Sequence, residues 1–350
     1  MLEGLTVIDL STVLAVPSVG TFLAELGASV IKVEHPVHRD VTRTWRIPGE
    51  TGAVTSYFSS INYKKQYRSL DLKNSEDLDD LRKLLASADI LLMNFKASDY
   101  ESFGLSPDSL KKAFPSLITA TINGFGDESD RVAYDLILQA ESGFMAMNGT
   151  PDSEPLKMPV ALIDVLAAHH LKEGILLALL QRNKTGKGAW VSVSLYDAAV
   201  SSLTNQASAY LMHGFIPKKQ GSLHPNIAPY GEIFTSKDGK QLTFAIGSNR
   251  QFEQLCTLLG CDDLAKDSAF LDNVDRVKNR KALADKLDPW VAQHEASVLV
   301  HGAAERFIPM GLIKELGEVF ENPAAKRLIR SETVEETLTH RVTQIAVKWK

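Results

Sequence analysis

A single carboxylate, Asp164, stands at the start of an apolar run that contains few other charges. Residues 158–180 read MPVALIDVLAAHHLKEGILLALL: an extended PVALI leads in, and residues 165–180 favour a helix that is apolar on nearly every side. This pattern predicts a buried helix with Asp164 at its N-cap. Free backbone N–H groups and the helix dipole would hold the carboxylate ionised there, which suits a nucleophile better than a general acid. On the local sequence alone, a plain N-cap aspartate is the simpler interpretation.

Two other groups of residues give weaker indications of binding chemistry. Residues 62–73, NYKKQYRSLDLK, place basic side chains among polar and apolar ones; solvated surface is the simpler interpretation, and a phosphate site is the functional one. Gly124 and Gly126 follow a predicted strand as in a phosphate-binding loop, but the third glycine is missing, so an ordinary turn is favoured. His169 and His170 fall on the predicted buried helix, where core histidines are a simpler interpretation than metal ligands.

Several familiar catalytic and cofactor motifs are absent from the sequence. The loop after the first predicted strand, STVLAVPS, lacks the G-x-G-x-x-G that closes on a dinucleotide pyrophosphate. There is no G-x-S-x-G elbow, no H-E-x-x-H and no P-loop, and Cys256 and Cys261 fit neither a zinc site nor a disulfide framework. The residues alone therefore predict no metal site and no ordinary NAD site, and they do not name a reaction.

The elements that must position Asp164 alternate between strands and helices. Short apolar runs predict strands at residues 6–10, 29–34, 89–94, 117–122 and 189–195. Since strands that alternate with helices form parallel sheets with right-handed crossovers, we expect an α/β, Rossmann-like, doubly wound domain. Ligands of such sheets lie at the carboxyl ends of the strands, where Asn94 and Phe95 fall.

The texture of the sequence changes near residue 214, where Pro, Gly, Asn and Lys become frequent. Beyond this point, Asp238 and Gly239 predict the turn of a hairpin. We expect four parts: a large Rossmann-like domain at 1–213, a linker at 214–230, a smaller α+β domain at 231–322, and a segment at 323–350 that returns toward the large domain.

Composition and charge exclude several classes of protein. With 44% hydrophobic and 23% charged residues and a net charge of -5, the chain is typical of a globular protein without a nucleic-acid partner. No basic segment precedes the first apolar residues, and the longest apolar run is too short for a bilayer, so we expect neither a secretory signal nor membrane association. We expect a cytoplasmic protein.

The chain resembles the family III CoA-transferases, which include formyl-CoA:oxalate and carnitine CoA-transferases. The resemblance follows the same order along nearly the whole chain, and the blocks around Asp164 and HPNIAPYG are its most specific parts. The segments that carry it are LEGLTVIDLSTVLAVPSVGTFLAELGASVIKVEHP, ILLMNF, YDLILQAESG, ALIDVLAAHHLKEGILLALLQRNKTGKGAWVSVSLYDA and HPNIAPYGEIFTSKDGKQLTFAIGSNRQFEQLC. It implies an interlocked homodimer, in which each chain forms a ring threaded by its partner and the active site lies between subunits.

The resemblance also implies acyl transfer through a covalent aspartyl intermediate, and it replaces the plain N-cap interpretation of Asp164. The Asp164 carboxylate would attack the thioester carbonyl of an acyl-CoA, giving a mixed anhydride and CoA thiolate. The thiolate would take the aspartyl group, the first acid would leave, and the acceptor acid would repeat the steps in reverse. Coenzyme A and acyl-CoA would be substrates, with no metal or redox cofactor.

Binding residues follow from the same resemblance. Val13 and Leu14 would lie near the pantetheine end of CoA, and His35 falls where relatives often carry a phosphate-binding arginine. The residues that would hold the adenine and phosphate end are Leu70, Asp71, Leu72, Lys73, Asn94, Phe95 and Lys96. The positions that would line the catalytic end, the last three on a substrate loop of the second domain, are Tyr134, Asp135, Gly247, Ser248 and Asn249.

Departures from the family limit what the resemblance implies. The formyl-CoA transferases have a CoA-binding arginine at Ser102 and a glutamine at Leu14, so neither oxalate nor formate chemistry is implied. The related α-methylacyl-CoA racemases move a proton with a histidine and an aspartate, but Tyr134 replaces that histidine and Asn249 a supporting glutamate. We therefore favour a transferase over a racemase. A catalytically silent CoA-binding homologue is the third alternative.

Overall fold

Six parallel strands form the sheet of the first of two compact units. The computed structural model describes residues 1–349, and Met1–Asn148, Pro155–Lys218 and the chain from Lys326 onward belong to this unit. The strands are β1 (Thr6–Asp9), β2 (Ser29–Glu34), β3 (Lys65–Ser69), β4 (Ile90–Met93), β5 (Ile118–Asn123) and β6 (Trp190–Ser194). Their order, β3-β2-β1-β4-β5-β6, reverses between β1 and β4. The predicted α/β parallel sheet is confirmed, and ligands of such sheets bind at that reversal.

Helices cover both faces of this sheet. In chain order they are α1 (Ala15–Glu25), α2 (Ser56–Ile61), α3 (Ser75–Ala86), α4 (Ala97–Ser102), α5 (Pro107–Ala113), α6 (Asp135–Glu141), α7 (Phe144–Met147), α8 (Leu162–Thr185), α9 (Leu195–Ser201) and α10 (Thr204–His213), with a 3₁₀ turn at Val41–Thr44. Successive strand residues point to opposite faces, and both faces are buried. Val7 lies in a cluster with residues of α1 and α8, and Ile8 in a cluster with residues of α3 and α5.

The helix that carries Asp164, α8, is longer than the predicted 165–180. It ends at Gly186, whose φ of 69° is the left-handed conformation of a glycine C-cap. Gly174 lies so close to β6 that an added Cβ would stand 2.5 Å from Cγ1 of Val191. One face of the helix therefore packs directly on the sheet.

The opposite face of α8 is exposed, so the prediction of a helix buried on every side was wrong. Leu177 is 67% exposed, and His169 and His170 are exposed as well rather than core histidines. The sheet can cover only the stripe of the helix that faces it. Among the described residues, no helix combines the length and apolar composition needed to cross a membrane.

The second compact unit contains Gly149–Glu154 and Lys219–Ala325. Its antiparallel sheet has the order β7 (Tyr230–Thr235), β8 (Gln241–Ala245) and β9 (Met310–Leu312), and Asp238 and Gly239 lie in the predicted hairpin turn. Its helices are α11 (Asn249–Leu259), α12 (Asn273–Lys278), α13 (Arg280–Val291), α14 (Ala296–Glu305) and α15 (Leu316–Glu321), with a 3₁₀ turn at Asp262–Lys266. A short helix, α16 (Pro323–Lys326), spans the boundary, and its last residue is assigned to the first unit. Phe244 and Phe252 lie in its buried core.

A final hairpin, β10 (Ile329–Val334) and β11 (Thr337–Val342), belongs to the first unit. The buried carboxylate of Glu25, at the end of α1, accepts hydrogen bonds from Oγ1 of Thr343 at 2.8 Å and from the N–H of Gln344 at 2.9 Å. Glu25 also pairs with the buried Arg341. These contacts fasten the C-terminal segment to the unit that carries Asp164.

Candidate active site

A cavity of about 220 Å³ opens where β1, β4 and β5 end. Its walls come from the loop after β1, the first turn of α1, the residues that follow β4 and β5, and Asp164 of α8. The predicted site residues that line it are Val13, Leu14, Asn94, Phe95, Lys96, Tyr134 and Asp164. The sheet edge thus brings together residues that are far apart in the sequence.

A second cavity, of about 210 Å³, lies at the ends of β2 and β3. Thr12 and Phe95 line both cavities, so the two are neighbours along the same sheet edge. The predicted site residues that line the second cavity are His35, Leu70, Asp71, Leu72 and Lys73. Two neighbouring cavities suit an elongated ligand rather than a compact one.

Asp164 is not the N-cap of α8, so that prediction was wrong. Ala161 is the N-cap, and Asp164 is the third residue of the helix. The N–H of Ile163 donates instead to Oδ1 of Asp135 at 2.7 Å, and Nε2 of Gln139 donates to Oδ2 of Asp135 at 2.5 Å. A carboxylate from another helix therefore caps α8, and the local sequence pattern cannot reveal such a contact.

Asp164 is 9% exposed, and no residue of the described range 1–349 donates a hydrogen bond to its carboxyl group. Burial raises its pKa, and the neighbouring charge of Asp135 raises it further, to about 7. The expectation that the helix end holds this carboxylate ionised was therefore wrong. At neutral pH the group is divided between its protonated and ionised forms.

Tyr57 is a residue that no sequence motif selects, and its pKa is affected by the charge of Asp164. It lies half-buried on α2, with its ring edge-on to Trp45 at a centroid distance of 5.0 Å. Burial and the charges of Asp164, Asp135 and Asp40 raise its pKa to about 12. The phenol is therefore a neutral hydroxyl within the electrostatic reach of Asp164.

The first turn of α1 brings backbone N–H groups to the cavity that holds Asp164. Ala15 and Val16 line this cavity, and the N-cap residue Leu14 makes no side-chain capping bond. The first intrahelical bond runs from the N–H of Ser18 to the oxygen of Leu14, at 3.0 Å, and Pro17 has no N–H. The N–H groups of Ala15 and Val16 therefore have no acceptor within α1.

The lysines of the basic stretch 62–73 have different roles: Lys65 forms a buried ion pair, and Lys73 lines a cavity. Lys65 is buried, and its Nζ donates to Oδ2 of Asp9 at 2.8 Å. Burial lowers the pKa of Lys65 to about 8 in spite of the charge of Asp9. Burial raises the pKa of Asp9, but the charges of Lys65 and Lys32 outweigh it and hold that pKa at about 2. Lys65 is thus no phosphate ligand, whereas Lys73 lines the second cavity.

His35 lies at the second cavity together with His38. Its Nδ1 accepts hydrogen bonds from the N–H of Val37 at 3.0 Å and of His38 at 2.9 Å. The proton of the neutral ring is therefore on Nε2, which lies 3.6 Å from Oδ1 of Asp71. With Lys73, the two imidazole rings offer donors that suit a phosphate group.

The three residues of the predicted substrate loop belong to the second unit, where they begin α11. Oγ of Ser248 accepts from the N–H of Gln251 at 3.3 Å, and the N–H of Gly247 donates to Oε1 of Gln251 at 2.9 Å. Oδ1 of Asn249 accepts from Nη2 of Arg276 at 2.8 Å. Their role as a substrate loop stays a prediction.

Comparison with known proteins identifies the family. The sequence profile of the family described as CoA-transferase family III matches residues 2–350. The chain is 34% identical to succinate–glutarate CoA-transferase of Agrobacterium fabrum, over 92% of this chain and 82% of that enzyme. It is 33% identical to acetyl-CoA:oxalate CoA-transferase of Acetobacter aceti, over 94% of this chain and 85% of that enzyme.

A solved structure agrees with this match. The fold resembles that of a CaiB/BaiF family protein from Brucella suis, with a TM-score of 0.85 and 36% identity over 99% of this chain and 92% of that one. CoA thioesters and carboxylic acids are the substrates that fit such an enzyme. The chain belongs to CoA-transferase family III and is a CoA-transferase of that family.

Proposed function

We propose that the protein transfers CoA from an acyl-CoA thioester to a carboxylic acid through a covalent intermediate on Asp164. The observation that carries this proposal is the environment of Asp164: a buried carboxyl group that faces a cavity and receives no hydrogen bond within the described chain. A capping aspartate would accept a backbone N–H. Asp135 has that role, which leaves the Asp164 carboxylate for a substrate.

Each step of the proposed reaction exchanges one acyl bond for another. An oxygen of ionised Asp164 attacks the thioester carbonyl carbon, and the C–S bond breaks with its electron pair on sulfur. CoA thiolate then attacks the aspartyl carbonyl of the mixed anhydride, which releases the first acid and leaves a thioester between Asp164 and CoA. The acceptor carboxylate displaces CoA to form a second mixed anhydride. Attack of the thiolate on its acyl carbonyl releases the new acyl-CoA and restores Asp164.

The surroundings of Asp164 support the nucleophilic role. A carboxylate that burial and a neighbouring charge make more basic is a stronger nucleophile once it is ionised. The N–H groups of Ala15 and Val16 would donate to the oxygen on which negative charge develops during the attack. Donors fixed at a helix start need little reorganisation during the reaction.

We further propose that the acids are dicarboxylic. The reactions named for the relatives reported above involve succinate, glutarate and oxalate, each of which has two carboxyl groups. Trp45, Arg46 and Tyr57 line a third cavity, of about 640 Å³. Tyr57 lines this cavity, and the charge of Asp164 contributes to its raised pKa. We propose that the guanidinium of Arg46 pairs with the carboxylate that does not react.

Intact-mass measurement tests the role of Asp164. Incubation of the wild type with succinyl-CoA should give an aspartyl-CoA thioester, whose mass is that of the protein plus CoA minus one water. Asp164→Ala should give none. Asp197→Asn removes an exposed acidic residue from the first turn of α9 and should form the adduct as the wild type does. An adduct in Asp164→Ala, or none in the wild type with any acyl-CoA, contradicts the proposal.

A racemase remains the second candidate because a pKa of about 7 at Asp164 also suits proton transfer. Its second proton carrier would have to be Tyr134, which replaces the histidine of the racemases. Incubation with a 2-methylacyl-CoA in heavy water distinguishes the two, since only a racemase would introduce deuterium at the α-carbon. Saturable CoA binding without transfer or exchange would indicate the silent homologue.

We also propose a homodimer that works in the cytoplasm. What supports the dimer is exposed apolar surface on the first unit: Leu177 and Leu180 of α8, and Leu211 and Met212 of α10, are all exposed. The two buried free cysteines agree with a reducing compartment. Sedimentation equilibrium would measure the mass in solution, and a monomer at micromolar concentration would contradict the dimer.

A further inference from the structure

Side chains bind every polar backbone group of a short loop between β1 and α1, from the N–H of Ser11 to the N–H of Val13. The bonds, in chain order, are Ser11 N–H to Asp9 Oδ1 (3.0 Å), Lys32 Nζ to Ser11 O (2.6 Å), Thr12 N–H to Asn94 Oδ1 (3.0 Å), Asn94 Nδ2 to Thr12 O (2.9 Å) and Val13 N–H to Asp40 Oδ1 (3.4 Å). Backbone groups of surface loops usually bind water instead. This loop is therefore held in one conformation.

The conformation that these bonds hold is strained. Val13 has a φ of 71°, in the left-handed region that a β-branched residue rarely adopts. Such a residue keeps its conformation only where the surrounding contacts outweigh the strain. Val13 and Leu14 line the cavity that holds Asp164, and α1 begins directly after them. The strain is thus located at the candidate active site.

Two of the bonds come from an ion pair that solvent does not reach. Nζ of Lys32 lies 3.1 Å from Oδ2 of Asp40, and both side chains are 0% exposed. Oδ1 of Asp40 also accepts from the N–H of Thr42 at 3.0 Å and from its Oγ1 at 2.7 Å, which fixes the carboxylate. Buried ion pairs contribute little to stability compared with apolar residues of the same size. The geometry that this pair imposes on the loop is a better explanation for it.

We propose that Lys32 and Asp40 are positioning residues for CoA transfer. Their ion pair fixes the loop, and the loop in turn fixes the first turn of α1 at the cavity where the bond to Asp164 forms. This inference rests on the proposed function. It also gives Asn94 a positioning role, since both polar atoms of its amide are bound to Thr12. A misplacement of reacting groups by about 1 Å costs about 100-fold in rate, so a relaxed loop should slow the chemical step.

Three variants test the inference: Lys32→Met, the double variant Lys32→Met with Asp40→Asn, and the control Arg341→Met. The double variant removes both charges, so that no unpaired charge stays buried. The control removes the cation of another buried ion pair of the first unit, which joins Arg341 to Glu25 away from the loop. Each protein is measured for its melting temperature, for kcat and KM with succinyl-CoA and glutarate, and for amide hydrogen exchange at residues 11–13.

The double variant should recover most of the melting temperature that Lys32→Met loses. Its kcat should stay about 10- to 100-fold below the wild type, with the KM for succinyl-CoA within about threefold. Amide exchange at residues 11–13 should rise by about 10-fold or more in both Lys32 variants but not in Arg341→Met.

Recovery of kcat together with the melting temperature in the double variant would overturn the inference, and so would wild-type exchange at residues 11–13. The exchange measurement needs no turnover, so it separates this inference from the proposed function. A wild type that transfers no CoA while exchange rises in the Lys32 variants refutes the transfer reaction and supports the hold on the loop.

Discussion

Replacing Asp135 by asparagine should lower the pKa of Asp164 and shift CoA transfer to lower pH. The charge of Asp135 is one of two causes of the raised pKa of Asp164, the larger being burial. An asparagine side chain keeps an oxygen that can accept the N–H of Ile163, as Oδ1 of Asp135 does at 2.7 Å. Asp135→Asn therefore removes the charge while it preserves the cap of α8.

The size of the shift follows from the order of these causes. Burial is the larger cause of the rise from 3.8 to about 7, so the pKa of Asp164 in the variant should fall but stay above 3.8. The electrostatic repulsion that is removed is then at most about 2 kcal/mol. At pH 6 about one tenth of Asp164 is ionised in the wild type, and this fraction should rise in the variant.

The assay is the initial rate of CoA transfer at low acyl-CoA concentration from pH 5 to 9, because kcat/KM then reports ionisations of the free enzyme. The wild-type rate should rise with pH to half of its maximum near pH 7, since the ionised form is the nucleophile. The midpoint of Asp135→Asn should lie at lower pH, and that of Asp197→Asn should not change. A midpoint for Asp135→Asn that equals or exceeds the wild-type value would refute the reasoning.

Three further changes test other features of the chain. Asp164→Asn should raise the free energy of unfolding at pH 8 by up to about 4 kcal/mol and have little effect near pH 3, as measured by urea denaturation. The reason is that the pKa of Asp164 is about 7 in the folded chain and 3.8 in the unfolded chain, so wild-type stability falls as the pH rises between these two values. Arg46→Met should lower kcat/KM for glutarate by about 10- to 100-fold in a coupled assay and leave kcat/KM for butyrate unchanged, since only glutarate has a second carboxylate. Equal losses of kcat/KM for the two acids would show that Arg46 does not bind the second carboxylate. Gly174→Ala should lower the free energy of unfolding by about 1–3 kcal/mol, because the new Cβ collides with Val191. Adding Val191→Ala to this variant should restore part of the lost melting temperature. A stabilised Gly174→Ala would contradict the close packing of α8 on β6.

The central strands could be predicted because they are buried on both faces. The predicted strand at 29–34 matches β2, Ser29–Glu34, since an apolar run between turn residues is what a covered parallel strand requires. The edge strand β3 was not predicted, because its sequence KQYRS is polar and pairs with β2 alone. The break between α6 and α7 is also a local feature, since Gly143 between them has a φ of 89°.

The candidate site was only partly predictable, because its electrostatics depend on contacts between distant segments. Asp164 could be selected as a lone carboxylate beside an apolar run. The raised pKa of Asp164 could not be predicted, because it depends on Asp135, which lies 28 residues before Ile163 in the sequence and binds its N–H. Tyr57 lies on a short helix whose sequence, SYFSSI, contains no motif. These residues become neighbours only when the strands are placed in order, and local patterns do not carry that order.

Two aspartates of the same unit show how the fold divides structural from chemical work. Asp9 and Asp164 are both buried, yet the pKa of Asp9 is held at about 2 and that of Asp164 is raised to about 7. The difference is that Lys65 and Ser11 contact Asp9, whereas Asp164 has a like charge as its neighbour. A cation placed beside Asp164 would stabilise the carboxylate and make it a weaker nucleophile. In the first unit, a buried carboxylate that is paired with a cation, such as Asp9, thus has a structural role, whereas Asp164, which has no such partner in the described part of the chain, can react with a substrate.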